Sequence, residues 1–175
     1  MAAYAYIDES KARGLIMVAA IVESRHSKEC RKALTDLLLP NQRRIHFSKE
    51  RFSRQRQIAR AVSDLPFEAW ILPSPAGVGQ RLARRQLVET LARELISAQV
   101  AGVVFERDDS LMRSDREVLY RVVHEHDAAD TFSYTHLRPY EEPLLWLADA
   151  VAWCWPKAGA ARAQISARVR RMVAP

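Results

Sequence analysis

A chain of 175 residues, 49% apolar and 27% charged, has the makeup of one globular domain over 1–175, large enough to bury an ordinary core. Its 2 cysteines exclude a disulfide framework, and the longest apolar run, Leu144 to Trp155, is interrupted by Asp149 and too short to span a bilayer. The formal charge of +6 is unevenly spread: between Gln42 and Arg60 seven Lys or Arg residues face one acid, Glu50, and after Asp149 only Lys157, Arg162, Arg168, Arg170 and Arg171 carry charge.

The N-terminus, MAAYAYIDES, lacks the basic start of a signal peptide, and a cytoplasmic location is expected. Ala3 to Ile7 is an apolar and aromatic run that reads as a buried strand ending in Asp8-Glu9-Ser10. Lys11 to Gly14 reads as a tight turn and Leu15 to Val22 as a second strand. The two form a hairpin expected in the middle of a sheet. Ser27 to Leu39 has helical spacing and is stopped by Pro40. Arg44 to Phe47 is a short strand or an extended loop. Ser48 is expected to cap a helix to about Asp64, with Phe52, Ala59 and Val62 on one side.

Phe67 to Leu72 reads as a strand, Pro73 to Gly79 as a loop, and Arg81 to Ala98 as a strong helix. Val100 to Glu106 is an apolar strand running into Arg107-Asp108-Asp109-Ser110. Ser114 is expected to cap a helix to about His126, and Thr131 to Leu137 alternates like a strand. Pro143 suits the first position of a helix to about Trp155, ended by Pro156. The tail after Gly159 is a last basic helix or frays. A hairpin followed by alternating helices and strands predicts an α/β fold with a mixed sheet covered by helices.

Three acidic features stand out. Asp8-Glu9 ends the first strand, where neighbouring side chains point to opposite faces. Glu106 ends an apolar strand and is followed by Asp108 and Asp109. Asp149 is the one charged residue from Leu144 to Trp155, and its helical neighbours Leu145, Trp146, Ala152 and Trp153 are apolar. A carboxylate in such a setting must reach water, a cation or a donor. Acids converging at one sheet edge repel one another, and divalent ions remove that cost. Two ions about 4 Å apart activate a water and stabilise the leaving oxygen in phosphodiester cleavage. Hard oxygen ligands suit Mg²⁺ or Mn²⁺.

The strand Tyr6-Ile7-Asp8-Glu9-Ser10, the segment Arg44-Ile45-His46-Phe47 and the helix Leu145-Trp146-Leu147-Ala148-Asp149-Ala150 together resemble the DUF3800 family. The match runs in order from about residue 4 to residue 155, and departs from the family where the usual "DESG" is Asp8-Glu9-Ser10-Lys11. The resemblance implies a ribonuclease H-like, or retroviral integrase-like, fold with a central mixed β-sheet flanked by helices, and metal-dependent nuclease chemistry. It implies metal ligands at Asp8, Glu106 and Asp149, with Asp108 or Asp109 as alternatives to Glu106 and with Glu9 as a further catalytic candidate. His46 and Lys49 would stand near the site. Arg44 and Arg51 belong to the basic segment that would hold a DNA or RNA backbone.

Other chemistry has less support. His124 and His126 are two apart on a predicted helix and share no face, so no zinc-ligand spacing is present. The sequence has no P-loop, no Rossmann glycine fingerprint and no G-x-S-x-G elbow. Trp70, Trp146, Trp153 and Trp155 read as core, with Trp153 and Trp155 also able to form a partner surface. Two functions remain: a two-metal nuclease, and a non-catalytic nucleic-acid-binding or assembly protein whose acids are structural.

Overall fold

The computed structural model describes residues 2–12 and 14–174. The first apolar run forms β1 (Ala3–Ser10), which continues through the acids, and the second forms β2 (Ile16–Glu23), paired antiparallel to it. Arg13, within the predicted turn between them, lies outside the described residues. Next come α1 (Ser24–Thr35), α2 (Phe52–Asp64), β3 (Glu68–Pro73), α3 (Gln80–Ser97) and β4 (Gly102–Glu106). They are followed by α4 (Met112–Glu125), β5 (Ser133–Leu137), α5 (Leu145–Cys154), α6 (Ala160–Ser166) and β6 (Val169–Met172).

The strands form one six-stranded mixed sheet in the order β5-β4-β1-β2-β3-β6, with the hairpin at its centre as expected. β3 is antiparallel to β2, while β4 is parallel to β1, β5 to β4 and β6 to β3. Side-chain alternation along each strand divides the core in two. Tyr6, Val18, Ala20, Ile71 and Val104 pack with α1, α2, α5 and α6 on one face. Ala5, Ile7, Met17, Leu72 and Phe105 pack with α3 and α4 on the other. Burial on both faces explains why these strands read as continuous apolar runs.

Several expectations need correction. α1 starts at Ser24 and ends at Thr35, ahead of the residues that seemed to mark it. Of the two readings of Arg44 to Phe47, the extended loop is the one found; it enters a 3-10 turn, Phe47–Lys49, and Ser48 lies in that turn and caps no helix. α2 begins only at Phe52, with Arg51 at its cap position and no side-chain cap. Phe52 is 71% exposed, because it precedes the turn at which Ile58, Ala59 and Val62 reach the core. Ser114 lies inside α4, whose approach is shaped by Asp108: its carboxylate accepts the Ser110 N–H at 2.9 Å.

Pro143 is not the first residue of α5. Glu142 sets that entry by accepting the Leu144 N–H at 3.0 Å and two bonds from Arg31 of α1, at 2.9 and 2.8 Å. The tail is neither a helix alone nor frayed. After α6 it turns into β6, tied in where Ala69 N–H donates to Arg168 at 2.8 Å and Val173 N–H to Ile71 at 2.9 Å. Four residues of Val-Arg-Arg-Met carry too short an apolar pattern to announce a strand. Among the described residues no helix is long and apolar enough to cross a membrane.

β4 and β5 meet closely at Gly102, where a Cβ would lie 2.6 Å from the Ser133 carbonyl oxygen. Gly102→Val should therefore cost about 1–3 kcal/mol through overpacking. Thermal unfolding should show a melting temperature lower by about 2–4 °C per kcal/mol. Gly79→Ser, at an open helix-cap position, should show no such loss. A Gly102→Val protein as stable as its parent would contradict the close approach.

Candidate active site

The parallel pairing of β1 with β4 sets Ile7 opposite Phe105, so the next residue on each strand is an acid. Asp8 follows the face of Tyr6, and Glu106 follows the face of Val104. Both side chains therefore leave the sheet on the side covered by α5, which carries Asp149. Adjacent strands lie about 4.8 Å apart, so the two strand acids are close neighbours.

Asp8, Glu106 and Asp149 line one cleft of about 790 Å³ together with Arg44, His46 and Trp153. Asp8 accepts the Glu9 N–H at 2.8 Å, and among the described residues it has no cationic partner. Burial, then the charge of Asp149, and further that of Glu106, hold the Asp8 carboxyl well above the usual carboxylate range. Burial also raises Glu106, and Asp149 adds to the rise, against the opposing charge of Arg44. Arg44 Nη1 lies 3.3 Å from Glu106. Asp149 accepts the Phe47 N–H at 2.8 Å, and His46 Nδ1 lies 3.8 Å away. The loop that sequence periodicity left undecided is thus tied to α5 by the Asp149 carboxylate and by the Phe47 ring on Trp153.

Glu9 goes the other way. It follows the face of Ile7 and meets Arg84 of α3, with Lys11 3.2 Å from its other oxygen. Arg84 also binds Asp115 of α4 with two bonds, at 3.1 and 2.8 Å. His136 Nε2 lies 3.4 Å from the same carboxylate. Burial alone would raise Asp115, but the bonds to His136 and Arg84 outweigh it and hold its pKa low. Sequence reading missed Arg84, Asp115 and His136. No local pattern marks them, since their partners are distant in the chain.

The structure thus brings Asp8, Glu106, Asp149, Arg44 and His46 together, and although Glu9 turns to the other face of β1 to meet Arg84, both of them, with Asp108 and Asp109, also line this cleft. Asp108 and Asp109 are exposed and bound locally, to Ser110 and Arg107 respectively. Lys49 and Arg51 line a neighbouring cleft of about 870 Å³, which shares Arg44 and His46 with the first. Trp70 and Trp146 are buried, whereas Trp153 and Trp155 are partly exposed beneath Lys157 and Arg162, each cation 4.0 Å from its ring.

The donors are hard carboxylate oxygens, which fit Mg²⁺ or Mn²⁺ chemically. Among the described residues no three His, Cys, Asp or Glu side chains already stand around one point as ligands. Arg44 holds Glu106, and the Phe47 N–H holds Asp149.

A hairpin continued by β3 on one side and by parallel strands on the other, with acids at the adjoining ends of β1 and β4, defines a ribonuclease H-like α/β protein. Among solved structures the chain is similar to RNase HII in the PCNA:RNase HII complex from Archaeoglobus fulgidus. The two are 18% identical, the match covers 86% of this chain and 70% of that chain, and the TM-score is 0.55. At that identity the likeness establishes the fold. No family model and no curated protein matches the chain.

The raised carboxyls have a signed consequence for stability. Where the folded pKa exceeds the unfolded one, the folded state binds more protons, and stability falls as pH rises between the two. For Asp8 and Glu106 that fall begins near the ordinary carboxylate range, about pH 4, and continues through their raised folded values. Without divalent ions, Asp8→Asn should melt higher than the parent at pH 7.5, by about 2–4 °C for each kcal/mol of repulsion relieved. The difference should shrink toward pH 4. A variant melting below the parent throughout would show that the acids do not strain one another.

Proposed function

We propose that this chain is a divalent-metal-dependent nuclease of ribonuclease H-like fold, related to the DUF3800 proteins, that hydrolyses phosphodiester bonds of DNA or RNA. The observation that carries the reading is the gathering of Asp8, Glu106 and Asp149 on one face, where Asp8 is pushed toward protonation and has no cationic partner among the described residues. Three acids held in mutual repulsion destabilise a protein unless a cation balances them. Asp8, Glu106 and Asp149 would hold that cation. When bound, it would supply charge neutralisation for the phosphate and a water of lowered pKa.

The chain's own residues do the rest. Arg44 reaches Glu106 from the cleft wall and is placed where its guanidinium would meet a phosphate oxygen. His46, beside Asp149 and open to the cleft, is placed to exchange a proton with substrate or solvent. The 3-10 turn after His46, anchored by the Phe47 N–H on Asp149, orders both groups. Lys49 and Arg51 in the adjoining cleft extend a basic surface along which a nucleic-acid backbone would lie.

One observation favours the second reading, a non-catalytic nucleic-acid-binding protein. Arg44 and the Phe47 N–H give Glu106 and Asp149 partners without any metal. Cleavage assays separate the two. Incubation with labelled single-stranded, duplex and hybrid DNA and RNA in Mg²⁺ or Mn²⁺ should yield products. Asp8→Asn should reduce the rate by more than the roughly 10–100-fold typical of losing an outer partner of a metal ligand. Salt-sensitive binding unaffected by metal and by Asp8→Asn, with no cleavage of any form, would replace the nuclease reading with the binding one.

A further inference from the structure

Beside the carboxylate cleft, α2 and α6 enclose a second groove of about 1360 Å³. Trp153 lines both, so the groove and the cleft lie on either side of one side chain. The groove floor is apolar, made by Phe47, Ala59, Cys154 and Ala161 among others. Its rim carries Arg56 and Arg60, with Asp64 as its one acid. At its mouth stands Phe52, 71% exposed at the first residue of α2, with the Arg56 guanidinium 6.0 Å from its ring. The Phe47 ring lies against Trp153 at 5.0 Å, between groove and cleft.

An apolar floor with a cationic rim asks for a ligand with flat apolar groups on one side and anionic groups on the other. A base-paired helix hides its bases and offers phosphates alone. An unpaired strand offers both: bases stack on an exposed aromatic ring, and phosphates meet arginines. Phe52 can serve a strand whose bases are turned out, and it has no comparable use for a duplex. We infer that the α2–α6 groove binds single-stranded nucleic acid, with bases on Phe52 and phosphates on Arg56 and Arg60, and leads it past Trp153 to the carboxylate cleft. This deepens the nuclease reading, on which the direction toward the cleft rests, by naming an unpaired strand as the substrate class.

The test is fluorescence anisotropy of a labelled oligothymidylate and a labelled duplex, each of about 20 nucleotides, enough to exceed a typical single-strand site. The full chain carries Asp8→Asn and EDTA is present, so cleavage plays no part. Adding Phe52→Ala should weaken oligothymidylate binding about tenfold, the loss expected of one stacked base, and leave duplex binding unchanged. Phe52→Leu, which keeps apolar bulk without an aromatic face, should weaken it similarly. Arg56→Ala should lower the logarithmic salt slope by about 0.7 for the single strand.

Unchanged single-strand affinity in both Phe52 variants, or equal losses for strand and duplex, would overturn the inference. So would displacement of the oligonucleotide by polyglutamate at equal charge concentration, which would give the groove to acidic peptides. A concentration-dependent dimer abolished by Phe52→Ala would give it to a second copy of the chain and overturn it likewise. Phe52-dependent binding by a chain that cleaves nothing would sink the nuclease reading alone. Cleavage of duplex unaffected by Phe52→Ala, with no single-strand preference, would sink this inference alone.

Discussion

The gathering of Asp8, Glu106 and Asp149 into one cleft is the constraint on which the candidate site depends. Two central strands run parallel with Ile7 opposite Phe105, and strand alternation then puts the next two residues on one face. The helix above brings a third acid to the same cleft. No single residue chooses this outcome. It follows from register, from the pleat, and from the entry of α5, which Glu142 and Arg31 fix more than a hundred residues apart in the chain. Each of those contacts therefore bears on the electrostatics of the cleft as well as on packing.

The two faces of β1 show opposite solutions to the same problem. On one side Glu9 is neutralised by Arg84 and Lys11, and Arg84 is shared with Asp115 and His136 in a ladder of side-chain bonds. Those bonds fasten the end of β1 to α3 and α4. On the other side Asp8, one residue earlier, is left without a cation among the described residues and is pushed toward its neutral form. A firmly held backbone with an uncompensated acid beside it is how sites are kept ready for charge that arrives with a ligand.

Much of the sheet was legible because buried parallel and central strands are apolar throughout, and β1, β2, β3, β4 and β5 all announce themselves in this way or by alternation. The acids stood out because they interrupt apolar segments. What sequence could not convey was side-chain destination. Glu9 and Asp8 are adjacent and chemically alike, yet only the sheet's faces separate them. Ser48 and Ser114 have the residue type of helix caps, but the chain enters α2 through a 3-10 turn and α4 through the Asp108 turn. β6 escaped notice because its pairing with β3, and not its own composition, makes it a strand. Arg84, Asp115 and His136 were invisible for the same reason: their roles exist only in contact.

The most direct measurement is diffraction from crystals grown with Mn²⁺, recorded where manganese scatters anomalously. An anomalous peak bounded by the carboxylates of Asp8, Glu106 and Asp149, with Glu106 turned away from Arg44, is the predicted result. A cleft without a peak at saturating Mn²⁺, with Glu106 still held by Arg44 and Asp149 by the Phe47 N–H, would contradict the idea that these acids are gathered to hold metal.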